Sequence, residues 1–303
     1  MCNENDCDEC DDVKEIYTSK NVTFHLTSEQ QTQVNDLLNQ FNDLFSDMPD
    51  KTDLVAHKIR LTPDARPRRF PSYRMNPQKS DWLKKELDEL LSAGIITECD
   101  SEWERPALIV PKANGKLRLV CDYKWLNQFT LPDPFMMPRI DDLIDLVGEA
   151  RYLTKIDCTK RYWSIPLDKE STPLTGFTTP HGHFCWRYTP MGLRNAGSSF
   201  IRLMAKILRG CENYARYYLD DIIVFTSSSW EEHLDHIRDV FRRTRDAGVK
   251  LNREKCEIGS AILEFIGHKI GMGRIEPSGL TGQGYVRFPR PDRKQVQSFL
   301  SIV

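Results

Sequence analysis

Long hydrophobic runs are missing from this sequence: no stretch approaches the roughly 18 consecutive apolar residues that a membrane helix needs. Met1 to Cys10 is acidic rather than basic and then apolar, so it lacks the pattern of a secretory signal. Internal repeats and low-complexity tracts are missing too, which removes solenoids and fibrous arrays. Cys7 and Cys10 make the one CxxC pair, with Cys2 upstream, and no matching Cys/His pair follows, so no zinc site is expected. The nine cysteines are an odd number and most stand singly in apolar runs. They read as free thiols in a reducing, intracellular and cytoplasmic setting.

What is present is enough for a sizeable core: 303 residues, 40% hydrophobic and 28% charged. The net charge of −2 conceals an asymmetry, because residues 1–53 hold 13 acidic and 3 basic side chains and the remainder carries +8. A basic body behind an acidic leader allows a polyanionic partner without identifying it.

Apolar residues at spacings of three and four predict an amphipathic helix over Ser28 to Asp47. A basic, proline-rich connecting arm follows from Lys58 to Arg74. Asn76 and Pro77 start a helix that Gly94 stops. Ala107 to Val110 and Lys116 to Cys121, joined through Asn114-Gly115, predict a basic hairpin. Leu174 to Thr178 and His183 to Tyr188 predict a second hairpin, with His181 and His183 as surface residues. Helices are expected from Ser198 to Arg209 and from Ser229 to Gly248. Strand pairs mixed with helices, and few strand–helix–strand crossovers, give an α+β fold.

The chemistry concentrates in two strands. Tyr217 to Phe225 places Asp220 and Asp221 between apolar strand-forming runs. Adjacent aspartates are also ordinary turn chemistry, and this segment alone supports both readings. Tyr152 to Cys158 is a second apolar strand ending in an aspartate, Asp157. If the strands are neighbours, the carboxylates share a site without His or Cys partners, which suits Mg2+. A pair of such ions about 3.5–4 Å apart serves in-line phosphoryl transfer, so the constellation reads as nucleotidyl transfer.

Tyr218-Leu219-Asp220-Asp221 resembles the Y-x-D-D box of reverse transcriptases, and its surroundings resemble gypsy-type LTR retrotransposons. Trp103 to Asn127 resembles the fingers segment, Pro190 to Phe200 the template-side turn and helix, and Phe265-Ile266-Gly267-His268 the primer grip. The resemblance implies right-hand polymerase fingers and palm, with an antiparallel palm sheet backed by helices. It divides the chain into an acidic leader with one amphipathic helix (1–53), fingers and palm (54–271, palm core about 141–165 and 190–271) and the truncated start of a thumb (272–303). It implies RNA-directed DNA polymerase activity on an RNA or DNA primer–template with dNTPs, and two Mg2+ ions with Mn2+ as the alternative. Asp157, Asp220 and Asp221 would be the catalytic metal ligands, joined by the Cys158 main-chain carbonyl. Lys112, Lys116, Arg118, Tyr162, Met191 and Lys255 would line the nucleotide site, with Tyr162 excluding a 2′-hydroxyl. Tyr218, Gly192, Phe265, Ile266, Gly267 and His268 would meet template and primer. The resemblance also implies a cytoplasmic setting, within a virus-like particle or outside one, and no membrane partner; it leaves the oligomeric state open.

Several positions depart from the family pattern. Arg161 stands in place of a glycine and Ser164 in place of a glutamine; Met191 replaces Phe and Gly197 replaces Pro. These departures, and a chain expected to stop at the start of the thumb, support a competing expectation: a catalytically silent remnant that binds nucleic acid through backbone charge. A metal-dependent nuclease or phosphatase would also use carboxylates, but leaves the basic fingers hairpin and the primer grip without a role.

Overall fold

A computed structural model describes residues 26–46, 48, 50–111, 115, 117–133, 143, 146–218, 221–265, 267–271 and 274–277. The predicted leader up to residue 25 and the predicted thumb from residue 278 lie outside the described residues.

Helix α1 (Ser28–Gln40) starts where Thr27 accepts from the Gln30 amide and Gln30 caps in return. It stops short of the expected Asp47, because a 3-10 turn (Asn42–Leu44) redirects the chain. That turn seats Phe41 and Phe45 edge-on against Phe241, with ring centroids 5.5 and 5.8 Å away. Helix α2 (Pro77–Ser92) begins as expected, with Asn76 accepting from Lys79 and Pro77 at the first position.

The fingers are a five-stranded sheet in the order β1-β6-β5-β2-β3. Its strands are β1 (Ile96–Glu98), β2 (Arg105–Pro111), β3 (Leu117–Cys121), β5 (Phe177–Thr179) and β6 (Gly182–Trp186). The β2–β3 pair is the expected hairpin, with Ala107 opposite Cys121. The second hairpin forms as β5–β6 but is shorter than predicted, because Pro173–Thr175 takes a 3-10 turn. Helix α3 (Lys124–Phe129) follows β3.

Cys99 and Cys185 are not free thiols; they form a disulfide, with Cα atoms 5.8 Å apart across 86 residues of chain. The antiparallel pairing of β1 with β6 sets Thr97 against Cys185 and carries Cys99 alongside. Among the described residues Cys121, Cys158, Cys211 and Cys256 remain free.

The palm is a four-stranded antiparallel sheet, β7-β8-β4-β9. It is made of β4 (Tyr152–Asp157), β7 (Ala215–Tyr218), β8 (Asp221–Thr226) and β9 (Glu257–Ser260). Side chains alternate across a strand, so Ile156, Ile222 and Val224 face one side and Leu153, Ile223 and Phe225 the other. The first set packs on α1, on α4 (Ala196–Ile207) and on α5 (Trp230–Asp246). The second packs on Leu263, Phe265 and Ile270 of a small sheet, β10 (Leu263–Phe265), β11 (His268–Gly271) and β12 (Arg274–Pro277). Burial on both faces explains why Ile222 to Phe225 is continuously apolar rather than alternating.

Candidate active site and nucleotide cleft

Strand pairing brings the aspartates together. β4 and β8 run antiparallel in a register that makes Asp157 and Asp221 direct partners. Directly opposite residues hold their Cβ atoms about 4.5–5.5 Å apart. Tyr218 is the partner of Asp221 on the other side, across β7 and β8. Leu219 and Asp220, between them in the chain, lie outside the described residues.

Charge around the pair is partly balanced. Burial is the largest influence on Asp221 and raises its pKa above the usual carboxylate range; Asp157 raises it further, while Lys155, Lys255 and Arg161 pull it back down. Lys255 Nζ is 3.6 Å from Asp157 Oδ2. Lys155, two residues before Asp157 and on the same face, pairs with Glu257 at 2.5 Å and donates to the Glu264 carbonyl at 3.4 Å. It therefore ties the acidic strand to the strand of the predicted primer grip. Nothing local in the sequence marks Lys155 except its alternation with Asp157.

Cys158 turns its thiol into the helix-side core, where burial pushes the pKa upward, so a thiolate ligand is not available there. Cys256 is likewise raised, to about 11, chiefly by burial. Two neighbouring carboxylates without a reactive thiolate or histidine fit a hard divalent cation better than zinc.

A cleft of about 600 Å³ lies between fingers and palm; neither Asp157 nor Asp221 lines it, and the chain links it to them through the turn that carries Tyr162. Arg118, Tyr162 and Met191 line it together with Lys160, Trp82 and Trp163. Arg118 Nη1 is 3.8 Å from Met191 Sδ, joining the fingers hairpin to the turn before α4. Lys112 and Lys116, predicted on the same hairpin, lie outside the described residues. Tyr162 borders the cleft while packing against both the fingers and palm cores. The contribution of Trp82 from α2 was not legible, because it depends on how a distant helix docks.

The turn carrying Met191 is held from the fingers. Gly192 adopts φ +92°, a left-handed conformation that favours glycine. Asn127 donates to its carbonyl at 2.8 Å and accepts from the Arg194 amide at 2.8 Å. Gly197, the departure in α4, has nothing beyond its chain neighbours and its own helix backbone within 4 Å of where a Cβ would stand.

On the opposite side, Phe265 and His268 are partners across the β10–β11 hairpin, and Gly267 turns it at φ +73°. Ile266 lies outside the described residues. The buried Phe265 ring meets Tyr218 edge-on at 6.3 Å, so this hairpin rests on the strand leading into the aspartates.

An antiparallel palm with aspartates paired at its strand ends, flanked by a basic fingers hairpin, defines a right-hand nucleic-acid polymerase fold. Residues 110–270 match the family described as reverse transcriptase (RNA-dependent DNA polymerase). The chain belongs to the reverse transcriptase family, whose members are nucleotidyltransferases that use divalent metal ions. It is 34% identical over 300 residues to the Retrovirus-related Pol polyprotein from transposon 297 of Drosophila melanogaster, covering 96% of this chain and 28% of that protein. It is 31% identical over 262 residues to the Enzymatic polyprotein of Cauliflower mosaic virus (strain CM-1841), covering 84% of this chain and 38% of that protein. The native Prototype Foamy Virus Protease-Reverse Transcriptase has a TM-score of 0.72 at 28% identity, covering 91% of this chain and 38% of that one. A foamy viral protease-reverse transcriptase in complex with ds DNA shares the fold with a TM-score of 0.78 at 23% identity, covering 97% of this chain and 51% of that one. The chain thus spans well under two thirds of the curated relatives named here. Among the described residues no helix is long and apolar enough to cross a membrane.

Proposed function

We propose that this chain is the fingers and palm of an RNA-directed DNA polymerase from a gypsy-type LTR retrotransposon Pol polyprotein. It extends a primer 3′-hydroxyl with dNTPs on an RNA or DNA template, and residues 272–303 open its thumb. The observation that carries this reading is the β4–β8 register that makes Asp157 and Asp221 direct partners at the end of the palm sheet.

Asp157, Asp220 and Asp221, with the Cys158 carbonyl, would hold two Mg2+ ions, or Mn2+ in their place. When bound, such ions polarise the attacking hydroxyl and offset charge on the leaving pyrophosphate. Arg118 offers a forked set of donors to the triphosphate, with Lys112, Lys116 and Lys255 as further cations around it. Tyr162 packs under the sugar and excludes a 2′-hydroxyl. Gly192 and Tyr218 would lie along the template and primer, and residues 265–268 would grip the primer end. The family resemblance supports an intracellular setting, in the cytoplasm or a virus-like particle; the cysteines no longer do, because Cys99 and Cys185 are joined.

A second reading, a silent remnant that only binds nucleic acid, draws on Arg161, whose guanidinium lies 4.5 Å from the centre of the Tyr162 ring. Primer extension on an RNA template separates the two. Metal-dependent dNTP incorporation supports the polymerase. Affinity that falls steeply with salt, without incorporation, supports the remnant.

A further inference from the structure

Tyr162 is held by a neighbour that the family pattern does not supply. Arg161 Nη2 donates to the Tyr162 hydroxyl at 2.9 Å. The same guanidinium lies over the Tyr162 ring, 4.5 Å from its centre, and 5.9 Å from the ring centre of Phe200. Phe200 is buried on α4 and meets Tyr162 edge-on at 6.3 Å. The tyrosine is therefore fixed at its hydroxyl by a charge-assisted hydrogen bond, on one face by a cation, and at its edge by an immobile ring.

The backbone beneath this clamp is also set. Residues 161–164 form a 3-10 turn, closed where the Trp163 amide donates to the Lys160 carbonyl at 2.8 Å. The Ser164 hydroxyl donates to the Arg161 carbonyl at 2.7 Å. Serine here replaces the family's glutamine, so two neighbouring departures act on one turn. A glycine at 161 would leave the half-buried Tyr162 ring anchored only by packing. With Arg161 in place, lateral movement of the ring into or out of the cleft must break a hydrogen bond and a cation–ring contact together.

We propose that Arg161 is a positioning residue that clamps Tyr162 and thereby sharpens discrimination against ribonucleotides. The inference rests on Tyr162 lying under the sugar, as in the proposed function. An immobile ring leaves no room for an added 2′-oxygen, whereas a ring free to shift by a few tenths of an ångström makes room.

The test uses the whole chain, with Arg161→Gly and with Arg161→Lys, which keeps the cation but loses the planar fork. Nitration by tetranitromethane, followed by peptide mass spectrometry across a pH series and normalised to the phenolate fraction that the series gives, reads the freedom of Tyr162 without any substrate. Tyr73, half exposed, is the internal reference. Losing one hydrogen bond and one cation–ring contact should speed nitration of Tyr162 about threefold to tenfold in Arg161→Gly, with Tyr73 unchanged. The ratio of kcat/KM for dNTP over rNTP should fall by a similar factor, about threefold to tenfold, with Arg161→Lys moving the same way. Equal nitration in wild type and both variants overturns the clamp. Faster nitration with an unchanged sugar ratio overturns its role in specificity. Extension by Arg161→Gly where the wild type fails overturns the proposal as well, because Arg161 would then obstruct the cleft. Failure of every chain to extend defeats the polymerase reading and the specificity claim with it, while the nitration result still decides whether Arg161 holds the ring.

Discussion

At the scale of single residues, the carboxylate pair and its surrounding cations have separable roles. Asp157 and Asp221 face one another across two strands, and Lys255 reaches Asp157 from 3.6 Å while remaining largely exposed. A carboxylate in the proposed role of ligand to catalytic metal should matter far more than a solvated lysine. Asp157→Asn should lower the rate of single-nucleotide incorporation about a thousandfold or more, the equivalent of several kcal/mol of lost transition-state stabilisation. Lys255→Met should lower it only about tenfold, as expected for the loss of one exposed cation from its proposed place near the leaving pyrophosphate. Rapid-quench measurement of both variants checks the order; equal losses would mean that Lys255 is as central as the carboxylate. The residues that bear the motifs were readable because polymerase chemistry requires oxygen ligands at strand ends. Lys155 was not, since its meaning comes from Glu257 and the Glu264 carbonyl, about a hundred residues away.

Among the elements, α5 is locked to the palm sheet by a buried histidine. His233 Nε2 is 2.9 Å from Thr154 Oγ1, and its Nδ1 is 2.9 Å from Thr226 Oγ1, so one ring joins β4, β8 and the helix. Burial lowers its pKa from 6.5 to about 3, and burial also lowers that of His57, beside Ser199, to about 4. Both folded values lie below the unfolded value. Their contribution is therefore complete above about pH 6.5 and is lost as pH falls toward the folded values, with each group adding a slope of up to about 1.4 kcal/mol per pH unit. Urea unfolding at neutral pH and near pH 5 should show this loss, and it should be smaller in His233→Asn; an unchanged pH slope in that variant would contradict the account. The fingers have a covalent lock as well. Closing 86 residues between Cys99 and Cys185 limits the unfolded chain and is worth about 4–5 kcal/mol by loop entropy alone. Reductant, or Cys99→Ser, should lower the thermal midpoint, and intact mass should change by two hydrogens on reduction. Helix starts were legible wherever a cap makes a local signal, as at Asn76-Pro77 and at Ser229, whose side chain accepts from the Glu232 amide. The early end of α1 and the disulfide were not, because each follows from long-range contact: Phe41 against Phe241, and β1 against β6.

For the whole molecule, a net charge near zero says little until it is divided into an acidic leader and a basic body, and the body carries the polymerase fold. The leader's helix α1 contributes Val34, Leu37 and Leu38 to the palm core, so charge along the sequence and packing in space follow different boundaries. The α+β class was readable from the order of strand pairs and helices. Which strands become neighbours was conditional in the sequence, and the β4–β8 register supplies it. The most direct measurement is primer extension on an RNA template with Mg2+ and dNTPs, comparing the whole chain with Asp157→Asn and Asp220→Asn. The account predicts extension by the wild-type chain, abolished by either substitution and by chelation of the metal. Extension that survives both substitutions, or no extension by the wild type, would contradict a polymerase site at these aspartates.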